Sequence, residues 1–115
     1  MTIHGREPRF RMTVGASAEI AKLCPGGDIS RIGEVVGTNS NYADNIDFIV
    51  KFLAVMSKWG EIAAAYEEKG YQPKPLTENE LYSLDMEALT QLQNEAFAVY
   101  IGDVAPTVEA EPEKK

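Results

Sequence analysis

The sequence predicts a mainly α-helical protein: a small helical bundle around a long central helix, with a short N-terminal β-strand or hairpin. Three patterns support this fold class. Apolar residues recur at helical spacing over about residues 42–69. A capping box, Thr77 at the N-cap and Glu80 at N3, marks the start of a further helix. Polar and apolar residues alternate over residues 9–14, which is typical of a half-buried strand.

The length and composition indicate one globular domain. The chain has 115 residues, of which 44% are hydrophobic and 25% charged, enough for one modest core. Residues 1–8 mix glycine, proline and charge without periodicity, so we predict an N-terminal arm. The helical domain then covers residues 9–102. Residues 103–115 hold proline, glutamate and alanine but no large apolar side chain, which predicts a disordered acidic tail.

The predicted strand is followed by two short helices. A lone strand over residues 9–14 must pair, either with residues 2–4 or with another subunit. Ser17 is expected to cap a helix over 18–24, which the Pro-Gly-Gly that follows would stop. Asp28 is placed to cap a second helix. The side chains expected on one face of the strand are Phe10, Met12 and Val14; those on one face of the second helix are Ile29, Ile32, Val35 and Val36.

The long central helix has two apolar stripes. The first consists of Ile46, Ile49, Val50, Leu53 and Met56. The second consists of Phe48, Phe52, Val55, Trp59, Ile62 and Tyr66. Such a helix either lies in the middle of its own bundle, the interpretation we favour, or turns one stripe to a partner. The second stripe is therefore the candidate partner-binding surface. Gly60 is expected to bend or divide the helix, and Gly70 to end it.

The last predicted helix follows a stiff connector, residues 71–75, which contains two prolines. It begins at Glu78, with Leu76 stapled inward ahead of it, and is interrupted near residues 83–85. It is predicted to end at Ile101, because Gly102 follows. Its expected inner face consists of Leu81, Leu84, Leu89, Leu92, Ala96, Val99 and Tyr100.

The net charge of −7 is concentrated in the second half of the chain. Residues 1–60 hold seven basic and six acidic side chains, whereas residues 61–115 hold four basic and twelve acidic side chains. Such a field repels phosphate backbones, so nucleic acid is not the expected ligand. Arg9 and Arg11 are expected to limit edge-to-edge association or to meet an acidic partner subunit. No apolar run of about 20 residues and no signal peptide is present. We therefore expect a cytoplasmic protein that does not bind or span a membrane.

The sequence contains no recognisable catalytic, cofactor-binding or metal-binding set. His4 is the only histidine, which excludes a histidine-based triad or a two-histidine metal site within one chain. Cys24 is the only cysteine and is expected to be an inert, buried or half-buried thiol. The acidic pairs Asp44/Asp47 and Glu67/Glu68 are expected to be solvated. We therefore predict a non-catalytic protein that binds other proteins.

Three segments resemble the tail assembly chaperones of long-tailed, siphovirus-like bacteriophages and prophages. They are residues 9–20 (RFRMTVGASAEI), residues 75–81 (PLTENEL) and the proline- and glutamate-rich tail. Together they cover most of the chain in layout. The resemblance implies a small acidic helical protein that binds tape-measure and tail-tube proteins while the tail is built in the host cytoplasm. It implies no catalytic residue and no cofactor.

Two alternatives remain open: a structural virion or connector protein, and a small acidic cytoplasmic regulator. Presence in purified particles would identify the first, and competition for a basic DNA-binding partner the second. Weak self-association is expected if an apolar stripe is exposed. The terminal Glu113-Lys114-Lys115 can be encoded by a slippery heptamer, as expected for a frameshifted longer form, although a solubilising charged end is favoured.

Overall fold

A computed structural model describes the backbone of residues 2, 3, 5, 7–32 and 41–113, with side chains described as far as Gly102. The mainly helical fold class and the long central helix are confirmed. The helices are α1 (Val14–Leu23), α2 (Tyr42–Glu67), α3 (Glu78–Tyr82) and α4 (Met86–Glu113), with 3₁₀ turns at Pro25–Gly27 and Ile29–Arg31. None of the helices in these ranges is both long and apolar enough to cross a bilayer.

The predicted strand over residues 9–14 is wrong. The described residues contain no strand, apart from an isolated bridge residue at Ile3. The segment is instead laid across α2, where the Arg11 amide donates to the Met56 carbonyl at 3.3 Å. This crossing buries Phe10, whereas Val14 begins α1 and is 90% exposed. The alternation therefore reflects packing on a helix rather than in a sheet.

Gly60 allows that crossing. A Cβ atom at this position would lie 1.9 Å from the Arg9 carbonyl oxygen and 2.7 Å from its carbon. Helix α2 runs unbroken from Tyr42 to Glu67, so the predicted division of the helix at Gly60 is wrong. The glycine is required because two backbones touch there.

The core lies around α2. The first stripe is buried except for the half-buried Ile46, and it packs with the inner face of α3 and α4. Phe52 has no exposed surface, and its ring stacks on Phe97 with centroids 4.5 Å apart. Ile3 also belongs to this core, so part of the predicted N-terminal arm is packed. The buried side chains of the core cluster are Ile3, Phe10, Ile20, Cys24, Phe48, Ile49, Val50, Phe52, Leu53, Met56, Leu76, Leu81, Leu89, Leu92 and Ala96.

Two buried polar side chains of α2 hold the proline-containing connector. The Ser57 hydroxyl accepts a hydrogen bond from the Leu76 amide at 2.8 Å. The Glu61 carboxylate accepts from the Tyr71 hydroxyl at 2.5 Å and from the Lys74 amide at 3.0 Å. Because buried polar groups are costly unless paired, these bonds fix the connector against one face of α2.

We expect Ser57→Ala to lower the free energy of unfolding by about 1–3 kcal/mol, because it leaves the buried Leu76 amide without an acceptor. Urea denaturation followed by circular dichroism measures the change. Ser17→Ala, on a half-buried face of α1, is the matched control and should change stability by less than about 0.5 kcal/mol. Equal stability of the two variants would contradict this role for Ser57.

The capping box is confirmed: the Thr77 side chain accepts from the Glu80 amide, and the Glu80 carboxylate accepts from the Thr77 amide. The predicted interruption is also confirmed, since α3 ends at Tyr82 and α4 starts at Met86. The carboxylate of Asp85 accepts from the amide of the third residue beyond it, as expected at a helix start.

Helix α4 does not end at Ile101 as predicted, because its backbone continues through Gly102 to Glu113. One glycine costs a helix only about 1 kcal/mol relative to alanine, which does not by itself terminate it. The predicted disordered tail, residues 103–115, falls outside the residues whose side chains are described. Its disorder therefore stays a prediction.

Near the N-terminus, α1 begins four residues earlier than expected. Thr13, rather than Ser17, supplies the cap by accepting from the Ala16 amide at 3.1 Å. Asp28 caps as predicted, but it begins the 3₁₀ turn Ile29–Arg31, and the remainder of the predicted helix lies outside the described residues. His4 and Arg6 also lie outside the described residues.

Candidate functional site

The second apolar stripe of α2 is divided by the fold. Phe48 and Phe52 are 6% and 0% exposed, so both belong to the core in this fold. The prediction that these two side chains contact a partner is not met here. The reason is the cover that α4 provides over this part of the helix. Val55, Trp59 and Ile62 are half-buried, and Tyr66 is 88% exposed. Only the C-terminal part of the stripe is therefore accessible, and whether it binds a partner stays a prediction.

Val55 lies in an open groove between α1 and α2, which we call the α1–α2 groove. Its volume is about 520 Å³. The lining residues of each helix are mostly three or four positions apart, so they share one face of that helix. Its lining residues are Glu19, Lys22 and Leu23 of α1, Lys51, Ala54, Val55 and Lys58 of α2, and Glu78 of α3.

The groove has an apolar floor and a charged rim. Leu23, Ala54 and Val55 supply the floor. The rim holds three lysines and two glutamates, and two of the lysines, Lys58 and Lys51, pair with Glu19 and with Asp47. Long lysine side chains can cover apolar surface with their methylene groups while the ammonium stays in water.

Glu19 organises one end of the groove. Its Oε2 atom accepts from Lys58 Nζ at 2.6 Å and from the indole nitrogen of Trp59 at 2.9 Å. The Lys58 ammonium also lies 5.1 Å from the centre of the Trp59 ring. The bond from Lys58, reinforced by that from Trp59, lowers the pKa of the Glu19 carboxyl below its ordinary value of 4.5.

Trp59 joins α1 to α2 beside this network. A Cβ atom at Gly15 would lie 2.6 Å from two carbons of the indole ring, so only glycine allows the ring to sit there. The indole is thus a packing group with one polar contact, rather than a free aromatic surface.

The Glu19 network predicts a pH-dependent fluorescence signal, because Trp59 is the only tryptophan. The folded-state pKa of Glu19 is depressed, so its stabilising contribution is complete above 4.5 and is lost as the pH falls through the lower folded-state value. We expect the Trp59 emission to change with a midpoint below 4.5. Glu19→Gln should remove this transition, and a transition that persists in that variant would assign it to another group.

Lys51 completes the other end of the rim. Its ammonium pairs with the Asp47 carboxylate at 2.7 Å, one helical turn away, and Asp47 also accepts from the Tyr82 hydroxyl. Hydrogen bonds from Lys51 and then Tyr82 lower the pKa of Asp47, and the same carboxylate raises the pKa of Lys51. The expectation that Asp47 is merely solvated is wrong, because it links α2 to α3.

A second groove of about 490 Å³ lies on the other side of α1. Its described lining residues carry no ionisable charge at neutral pH. They are Met12, Thr13, Val14, Ser17, Ala18, Ile29 and Tyr100. Burial raises the pKa of the Tyr100 hydroxyl. Neither groove was predicted, because each depends on how α1 packs against distant parts of the chain.

The N-terminal arginines make contacts within the chain. Arg9 pairs with Glu68 at 2.8 Å and Arg11 pairs with Glu67 at 2.6 Å. The Arg9 guanidinium also lies 4.7 Å from the centre of the Tyr71 ring. Glu67 and Glu68 are exposed to solvent, as predicted, and each also pairs with an arginine of the N-terminal segment. Exposed ion pairs of this kind add little stability, so the crossing at Gly60 depends mainly on packing.

Cys24 is buried, as predicted, and its Sγ atom lies 3.4 Å from the Ile20 carbonyl oxygen. Burial raises the pKa of this thiol, which keeps it in its unreactive protonated form. In the described part of the chain, no three histidine, cysteine or acidic side chains are grouped as a metal site would require.

Comparison with known proteins adds no assignment. No protein-family model matches the chain, and neither curated proteins nor solved structures give a significant match.

Proposed function

We propose that this chain is a non-catalytic protein-binding factor that acts as a tail assembly chaperone of a siphovirus-like phage or prophage. In this role it binds the tape-measure or tail-tube protein in the bacterial cytoplasm during tail assembly. The observation that carries the binding part of the proposal is the α1–α2 groove, with its apolar floor and lysine-rich rim. The phage assignment is supported by the resemblance of residues 9–20 and 75–81.

The chemistry of the groove suits a peptide segment. An amphipathic segment lays its apolar side chains in a groove, and charged groups at the rim fix its direction. Val55 is the accessible apolar centre of the floor, while Lys22 and Lys51 lie on the rim. Charges at the rim of such a surface mainly affect the association rate and its salt dependence, whereas buried apolar contacts affect dissociation.

The test is capture of purified tape-measure and tail-tube proteins from the same genome by the immobilised full-length chain. We expect capture at tens of micromolar, as for weak transient contacts. Val55→Asp should abolish it, because a carboxylate then replaces the apolar floor. Val14→Asp is the matched control, since Val14 is exposed outside this groove, and it should leave capture unchanged.

Circular dichroism must show that Val55→Asp is folded. If it is not, Lys22→Glu, a change at an exposed position on the rim, replaces it and should weaken capture. Failure of the wild-type chain to capture either protein would reject the chaperone assignment. The chain's presence at fixed stoichiometry in purified particles would favour the alternative of a structural virion protein.

A further inference from the structure

We infer that the end of the bundle where α2 and α4 begin is a docking surface for an arginine-bearing segment of a partner protein. Its exposed centre consists of Tyr42, Tyr82 and Met86, which we call the tyrosine–methionine patch. None of the three lines the α1–α2 groove, and the inference does not rest on the phage assignment. It is carried by the exposed rings, by the carboxylates beside them and by an arginine that the same kinds of group hold elsewhere in the chain.

Exposed apolar side chains gather at this end of the bundle. Tyr42 is 70% exposed, and about half of Tyr82 and of Met86 is exposed. The Tyr42 hydroxyl contacts the Met86 sulfur at 3.6 Å, while the Tyr82 hydroxyl donates to Asp47 in the second turn of α2. Asp47 also pairs with Lys51, so it adds no net charge to the patch. Tyrosine and methionine are enriched in protein interfaces, which favours this end of the bundle as a contact surface.

The surroundings of the patch are negatively charged. Residues 75–102 contain five carboxylates and no lysine or arginine. Asp44, Asp85 and Glu87 are exposed beside the patch, and none of them forms an ion pair with a described residue. Asp44 and Asp85 accept hydrogen bonds from neutral groups, which leave their charge in place. The N-termini of α2 and α4 together contribute about one positive charge, so an excess of about two negative charges remains.

An arginine held within the chain shows what such a surface binds. The Arg9 guanidinium lies 4.7 Å from the centre of the Tyr71 ring and pairs with the Glu68 carboxylate at 2.8 Å. A tyrosine face and a carboxylate thus hold a guanidinium together on an exposed part of this protein. The patch presents the same two kinds of group, since Tyr42 and Asp44 lie in the first turn of α2.

The chemistry of the patch favours arginine over lysine. A planar guanidinium stacks on an aromatic ring and bonds a carboxylate through two N–H groups, whereas an ammonium is a compact, strongly hydrated point charge. The flexible side chain of Met86 adapts to the aliphatic residues that accompany the arginines. Nucleic acid does not fit, because its phosphates carry the same sign of charge as the patch.

The test is an NMR titration of the isotope-labelled full-length chain with a synthetic amphipathic peptide. The peptide carries about four arginines and four leucines, spaced by three and four positions. We expect a dissociation constant on the order of hundreds of micromolar, with the amide signals of Tyr42, Tyr82 and Met86 shifting most. A peptide with lysine in place of arginine should bind about threefold more weakly, and one with glutamine should not bind.

Two substitutions in the patch should weaken binding of the arginine peptide. We expect about fivefold for Tyr42→Ala, which removes a ring face, and about threefold for Glu87→Gln at low salt. Both positions are exposed, and circular dichroism establishes that both variants are folded. Tyr66→Ala and Glu67→Gln are the matched controls at the other end of α2, about 36 Å away. Both should bind as the wild type does, since Glu67 is already paired with Arg11.

The inference is overturned if the patch signals do not shift at several hundred micromolar peptide, or if the glutamine or lysine peptide binds as tightly as the arginine peptide. Equal weakening by Tyr66→Ala and Tyr42→Ala would also overturn it. Sedimentation velocity of the free chain tests a different occupant. A dimer that Tyr42→Ala dissociates would assign the patch to a second copy of this chain, against the inference.

Val55→Asp separates this inference from the proposed function. Peptide binding should be unchanged in this variant, because Val55 lies in the α1–α2 groove and not in the patch. Its loss there would place the peptide in the groove and overturn the inference. Capture of the phage proteins through Val55 does not depend on Tyr42, so the proposed function stands or fails separately.

Discussion

Replacing Gly60 with alanine is expected to lower the free energy of unfolding by about 3 kcal/mol, at the upper end of the range for overpacked positions. The new methyl group would lie 1.9 Å from the Arg9 carbonyl oxygen, and both clashing groups belong to backbone that cannot rotate away. Alanine is favoured over glycine in a helix by about 1 kcal/mol. This gain is smaller than the cost of moving the N-terminal segment away from α2. Urea denaturation, followed by Trp59 fluorescence and circular dichroism, measures the difference.

Gly102→Ala is the matched control. Gly102 also lies within a helix, and a Cβ atom there has no neighbour within 4 Å, so the substitution should stabilise the chain by up to about 1 kcal/mol. The two glycine-to-alanine changes therefore have opposite expected signs. A Gly60→Ala variant as stable as the wild type would show that the N-terminal segment does not cross α2 at this point.

Phe52→Ala should lower the free energy of unfolding by about 3–5 kcal/mol, a large part of the stability of a small domain. The side chain has no exposed surface, and its ring contacts those of Phe48, Phe97 and Tyr100, so its removal leaves a cavity within an aromatic cluster. Thermal and urea unfolding both measure the loss.

Tyr66→Ala belongs to the same stripe and is the control for Phe52. Because Tyr66 is 88% exposed, its removal should change stability by no more than about 0.5 kcal/mol. If both variants kept wild-type stability, the packing of α4 over α2 would be wrong. The contrast also separates direct partner contacts from effects of unfolding, because loss of binding in Phe52→Ala would follow from a damaged core.

Local patterns predicted the helices well. The capping box at Thr77 and the break before Met86 involve residues within one or two turns of each other, so the sequence alone contains the required information. The apolar periodicity of α2 likewise predicted a helix that is covered on two sides. By contrast, the alternation over residues 9–14 failed as a strand signal, because the partner of that segment is the surface of a helix distant in sequence.

The candidate site could be predicted only in part. Phe52 and Val55 belong to the same stripe, and periodicity does not distinguish them. Phe52 is covered by α4, whereas Val55 faces the α1–α2 groove. That difference arises from tertiary packing. The polar anchors Ser57 and Glu61 were missed for a similar reason. A polar residue on a helix is normally solvated, and the partners of these two come from a connector 10–19 positions further along.

The crossing of the N-terminal segment over α2 has a consequence for the order of folding. The Arg11 amide and the Met56 carbonyl that it meets are 45 positions apart, so the loop between them must close before the contact forms. During synthesis Arg11 leaves the ribosome well before Gly60. The N-terminal segment therefore cannot pack on α2 until α2 has emerged. The beginning of the chain therefore reaches its final place only after the middle has folded.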